Sequence, residues 1–141
     1  MKKFLCIFAL ALCLATAFSQ DIAASIVITN VQPNSGSLFV TFFDSQDALK
    51  NKKPTKKIKL NTEEETVTAI IMLPEGEYFV SAFQDINDNG KFDTNFIGFP
   101  REPVGISNYN GSGMPGGFDK QKILIDADNL IVTVNMNRKK E

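Results

Sequence analysis

Apolar and polar residues alternate along most of this chain with a period of two. That spacing turns one face of a β-strand to a core and the other to solvent. Ile22, Ala24, Ile26 and Ile28 share one face of a first predicted strand. Leu38, Val40 and Phe42 share a face of a second, with Phe39 and Phe43 on its other side. Ile58 and Leu60 mark a short third strand, and Val67, Ala69, Ile71 and Leu73 a fourth. Tyr78 to Phe83 is apolar on both faces, which predicts a central fifth strand. Lys120–Ile125 and Leu130–Met136 supply the last two, joined as a hairpin by Asp126-Ala127-Asp128-Asn129. Turn chemistry separates the strands at Asn34-Ser35-Gly36 and Pro74-Glu75-Gly76, and the polar stretch from Asp44 to Asn51 suits a helical turn. Seven short strands without a long helix predict an all-β fold, a seven-stranded antiparallel β-sandwich.

One connection breaks this regularity. From Asp85 to Asp119 the chain is rich in glycine and carries Pro100, Pro103 and Pro115. A loop of that length in a compact domain calls for something that orders it. Its first residues offer a device. In Asp85-Ile86-Asn87-Asp88-Asn89-Gly90-Lys91-Phe92-Asp93, oxygen-bearing side chains fall at every second position around a glycine turn. Calcium takes six to eight oxygens from such a loop. Asp85, Asn87 and Asn89 fit the first, third and fifth ligand places. Gly90 supplies the turn, Lys91 a backbone carbonyl, and Asp93 a ligand direct or through water. Phe96 stands where an EF-hand has its bidentate glutamate, so this is no EF-hand; Glu102 is the candidate to close the shell. The competing reading is a plain turn, since Asn89-Gly90 is also a type I′ hairpin signal.

Composition narrows the chemistry. Lys2 and Lys3, the apolar run Phe4–Leu14 and the small residues that follow have the layout of a secretory signal peptide, predicted over 1–19 with cleavage after Ser19. Cys6 and Cys13 leave with it, and the 15 basic residues fall by two to 13 against 16 acidic, a net charge of −3. The remaining 20–141 is predicted to be one secreted or periplasmic domain with no transmembrane segment. No basic stripe suits nucleic acid, and the Lys50–Lys57 cluster reads as a solvated edge. With no histidine in the chain and no cysteine after cleavage, zinc and copper are poorly served, and Ser-His-Asp and Cys-His catalysis is excluded. The sequence therefore predicts no enzyme activity. A carboxylate-dependent hydrolase using Asp85, Asp93 or Glu102 is the remaining catalytic alternative. Phe92, Phe96, Phe99, Tyr109 and Phe118 lie in or beside the loop; the preferred reading is that they pin it to the sheet, the other that they form a sugar-stacking surface.

The order of these motifs resembles a known family. Pro74-Glu75-Gly76-Glu77-Tyr78 leads into a strand, followed by the Gln84–Asn95 loop, Ile97-Gly98-Phe99-Pro100-Arg101-Glu102-Pro103-Val104-Gly105, and Gly113-Met114-Pro115-Gly116-Gly117-Phe118. The arrangement is similar to the small exported bacterial proteins grouped as domain of unknown function 2141. The resemblance implies a transthyretin-like (prealbumin-like) sandwich, a fold shared with calcium-binding repeats of surface adhesins. It thereby adds weight to Asp85, Asn87, Asn89 and Asp93 as calcium ligands. Gln84 stands where the resemblance leads one to expect histidine, and Ile106 where it leads one to expect an aromatic residue. The resulting expectation is an exported, calcium-binding, non-enzymatic domain that serves an unidentified protein or glycan partner or a structural role, with a carbohydrate-binding module as the alternative.

Overall fold

The computed structural model describes residues 20–137, and the predicted leader, 1–19, lies outside the described residues. The strands are β1 (Asp21–Thr29), β2 (Ser37–Phe43), β3 (Lys56–Leu60), β4 (Val67–Pro74), β5 (Gly76–Asp85), β6 (Val104–Ile106), β7 (Ile123–Ile125) and β8 (Ile131–Asn137). Two short helices, α1 (Gln46–Lys50) and α2 (Phe118–Gln121), complete the set. The fold is all-β, as the alternation predicts. Its strands make one mixed sheet in the order β3-β2-β5-β6-β8-β1-β4, with β7 paired to β5 off that path. The sheet curls into a nearly closed barrel, its end strands β3 and β4 approaching each other.

Three expectations are corrected. There are eight strands among the described residues, because β6 forms inside the long glycine-rich connection. The sheet is mixed rather than antiparallel, since β1 and β8 run parallel from Ser25↔Ile131 to Thr29↔Asn135. Finally, Lys120–Ile125 is not one strand hairpinned to the next. Lys120 and Gln121 are helical, and β7 pairs instead with the start of β5, from Gly76↔Ile125 to Tyr78↔Ile123. The predicted turn itself is present: Asp126 and Asn129 form an isolated antiparallel bridge, and Asp126 Oδ1 accepts the Asp128 and Asn129 N–H groups at 3.0 and 2.9 Å. The pairing goes no further because β7 is bonded to β5 and β8 to β1 and β6.

The inward residues build the core. Ala24, Ile26 and Ile28 of β1 meet Leu38, Val40 and Phe42 of β2, Val80 and Ala82 of β5, and Val132, Val134 and Met136 of β8. Each large side chain so buried contributes about 1.5–3 kcal/mol. The two halves of the sheet join where β6 meets β8, at Val104↔Asn137 and Gly105↔Met136. A Cβ at Gly105 would lie 2.7 Å from Val134 Cγ1 and 2.8 Å from the Asn135 carbonyl oxygen, so the junction requires glycine.

The outer face of β2 and β5 is covered at one end by the helices. Ser45 caps α1 by accepting the Ala48 N–H at 3.1 Å, and Gln46 Oε1 accepts the Phe118 N–H at 2.9 Å, tying α1 to α2. Beneath them Phe43, Phe79 and Phe118 form a second apolar cluster with Leu49 and Ile106. The long connection folds over the other end of that face. No helix among the described residues is long and apolar enough to cross a membrane.

Candidate metal centre

Strand β5 ends at Asp85, whose side chain is 1 % exposed. Its carboxylate gathers the turn that follows: Oδ1 accepts the Asn89 N–H at 3.1 Å and Oδ2 the Gly90 N–H at 2.7 Å. Two amide oxygens extend the winding. Asn87 Oδ1 accepts the Asn89 N–H at 3.1 Å, and Asn89 Oδ1 accepts the Lys91 N–H at 2.8 Å. Positive φ occurs at Asp88 (56°) and Gly90 (75°) but not at Asn89. A type I′ hairpin needs it at both central residues, so Asn89-Gly90 does not form one. The turn is wound around Asp85 instead.

Glu102 closes the loop from its far side. Its carboxylate is 8 % exposed, with Oε1 accepting the Ile86 N–H at 3.1 Å and Oε2 the Asp93 N–H at 3.0 Å. Burial raises its pKa above the ordinary glutamate value; the two N–H donors pull it down, and the negative charges of Asp85 and Asp93 push it up again. Asp93 Oδ2 in turn accepts from the Asn87 and Asn89 side-chain amides, at 2.8 Å each. The fold thus brings Asp85, Asn87, Asn89, Asp93 and Glu102 into one hydrogen-bonded loop, with the Lys91 side chain exposed beside them.

None of the three carboxylates is in an ion pair among the described residues; the pairs present there join Lys122 to Glu77 and Asp119. Nor do three or more Asp, Glu, His or Cys side chains among the described residues stand ready to grip a metal ion. The amides of Asn87 and Asn89 do not add oxygens toward Asp93 either, because their nitrogens are turned to it.

Two supports escape sequence reasoning. Gly36, with φ of +60°, lies against Asp85 so closely that a Cβ there would sit 1.8 Å from the Asp85 carbonyl oxygen. Ser37 Oγ donates to Asp88 Oδ1 at 2.7 Å, fixing the turn to β2. The Asn34-Ser35-Gly36 turn signal marks this region, but only the β2–β5 register shows what it touches. Gln84, fully buried, accepts the Gln32 N–H at 2.8 Å and donates to the Gln32 and Ser35 carbonyls at 2.7 Å each. The amide at this position therefore braces the turn before β2.

The loop aromatics divide. Phe118 is buried under the helices, and Phe92 packs edge-on against Phe83 with ring centres 5.4 Å apart. Phe96, by contrast, is 96 % exposed, with Ile97 and Phe99 also outward. Asn95 organises this tip, its Oδ1 accepting the Ile97 and Phe99 N–H groups at 3.1 and 2.9 Å between the bridged residues Thr94 and Pro100.

No curated protein and no solved structure matches the chain. A family model described as an uncharacterised protein conserved in bacteria matches residues 26–133, which include the whole Asp85–Glu102 loop. On that match the chain belongs to the bacterial family DUF2141.

Proposed function

We propose that this is an exported, non-enzymatic domain in which one calcium ion is held by Asp85, Asn87, Asn89, Asp93 and Glu102, together with the Lys91 carbonyl. The ordered loop then presents its Phe96-Ile97-Phe99 tip to a protein or glycan partner. One observation carries the reading: two buried carboxylates, Asp85 and Glu102, share a loop with Asp93, and no cationic side chain among the described residues pairs with them. Burying like charges together is unfavourable unless a counter-charge accompanies them. Calcium accepts such a mixed set of carboxylate, amide and carbonyl oxygens. Binding would have Asn87 and Asn89 turn their amide oxygens inward, giving up their bonds to Asp93. The family resemblance supports a transthyretin-like reading of the two half-sheets, and the leader pattern supports export to the periplasm or beyond.

Isothermal titration of the 20–141 chain with calcium, magnesium and EDTA tests the ion. The expected result is a single saturable calcium site and a melting temperature that rises with calcium. Absence of both, or an unchanged shift in Asp93→Asn, would remove the proposal.

A second reading, glycan binding, draws on the exposed Phe96 and Phe99 rings. Retention on insoluble polysaccharide that is lost in Phe96→Ser would favour it over a protein partner.

A further inference from the structure

The coverings at the two ends of the β2–β5 outer face leave its middle open, and the strand register shows what lies there. One row across the sheet reads Lys59, Phe39, Phe83, Val104; the next reads Lys57, Thr41, Ser81, Ile106. Each row runs from a cation at the β3 edge to an aliphatic side chain on β6. A cleft of about 330 Å³ occupies the β5–β6 end of these rows, lined by Ser81, Phe83, Phe92, Pro100, Val104 and Ile106. That volume falls at the lower end of the roughly 300–1,000 Å³ usual for small-molecule sites.

The polar groups on the floor neutralise one another. Thr41 Oγ1 and Ser81 Oγ lie 2.7 Å apart and share a hydrogen bond. Phe39 stacks on Phe83 with ring centres 5.1 Å apart, continuing the apolar surface toward β3. At that edge Lys57 and Lys59 hold their ammonium groups 4.8 and 5.6 Å from the centre of the Phe39 ring. Neither lysine is in an ion pair among the described residues.

We propose that this face binds a free fatty acid, its aliphatic chain on Phe83, Phe92, Val104 and Ile106 and its carboxylate at Lys57 and Lys59. The charge sits at one end only, and the span from β3 to β6 is three strand spacings, about 14 Å. That shape fits an extended chain with a single acidic head. Two separate ammonium groups supply point charges rather than the bidentate fork that arginine would offer. The site shares the wall residue Phe92 with the Asp85–Glu102 loop, but none of the proposed calcium ligands lines it, and its test is run in EDTA so that it does not depend on a bound ion.

The test compares decanoate, decylammonium and decanol by titration calorimetry on the 20–141 chain. Decanoate is expected to bind saturably, one per chain, with decylammonium failing to bind and decanol binding more weakly. The exposed double variant Lys57→Gln/Lys59→Gln, with its melting curve as the check on folding, is expected to weaken decanoate about tenfold or more and to abolish the salt dependence. Val104→Asp is expected to remove binding by placing a charge under the chain. Equal binding of decylammonium, unchanged affinity in the double lysine variant, or no binding of decanoate would each overturn the proposal. So would binding to anionic phospholipid vesicles without binding of free decanoate, which would make the face a membrane-contact surface.

Discussion

The outer face of β5 is covered twice, by opposite means. At one end α1 and α2 lie on Phe43, Phe79 and Phe118, an apolar cluster closed by the edge-on contact of Phe43 and Phe79 at 6.3 Å. At the other end the Asp85–Glu102 loop is held by carboxylates that accept backbone N–H groups. The first covering depends on area removed from water and is indifferent to ions. The second depends on negative charge kept in place by hydrogen bonds, so protonation of Glu102 bears on it, and the calcium proposal adds a response to cations. One strand thereby carries a fixed end and an adjustable one, and the adjustable end bears the exposed tip.

The comparison is broken most severely on the apolar side. Phe79→Ala is expected to cost about 3–5 kcal/mol in urea unfolding, because it empties the middle of the helix-covered cluster. Its response to calcium should stay that of the parent protein. On the polar side, Asp85→Ala strips the acceptors from the Asn89 and Gly90 N–H groups, for an expected loss of about 1–3 kcal/mol. In that variant the calcium-dependent rise in melting temperature should vanish, and a surviving rise would place the ion elsewhere.

Glu102→Gln sharpens the contrast through pH. Glu102 has a raised pKa in the folded state, chiefly from burial. A carboxyl with a raised folded pKa contributes stability that is full below its unfolded value and lost as pH climbs through the folded one. In EDTA, the stability difference between the parent and Glu102→Gln should therefore move in favour of the parent on mild acidification. Phe79→Ala should show no such differential. A flat difference between the parent and Glu102→Gln would mean that the carboxyl titrates alike in the folded and unfolded chain. The smallest effect belongs to the tip: Phe96→Ser should change stability by less than about 0.5 kcal/mol, since the ring is almost wholly exposed.

Period-two alternation made β1, β2, β4, β5 and β8 legible, and the doubly apolar Tyr78–Phe83 segment correctly marked β5 as central, bonded on both sides to β2 and β6. Strand β6 escaped because three residues are too few to display a period. The parallel pairing of β1 with β8 escaped because nothing local distinguishes a strand's partner. Helix α2 hid behind Gly116 and Gly117, its four residues anchored by burial of Phe118 and Gln121 rather than by helix-forming composition. At the loop, oxygen spacing singled out Asp85, Asp93 and Glu102, and the fold does bring these three carboxylates into one hydrogen-bonded loop. That Glu102 would bond the Ile86 and Asp93 N–H groups follows from β6 lying beside β5, which spacing cannot show. The two rows leading to Lys57 and Lys59 likewise exist only once the β2–β3 and β2–β5 registers are fixed.

The partnership of β1 with β8 also governs how the chain can mature. Thr29 and Asn135, bonded across those strands at 3.0 Å, stand 106 residues apart. A ribosome releases the chain from its N-terminus, so β1 emerges long before the neighbour that completes it. Until then one flank of β1 is an unpaired ladder that strands of other molecules can seize. High contact order of this kind slows folding. The chain is thus most exposed to aggregation during the interval before β8 joins β1, and a variant in which β8 cannot pair would never leave it.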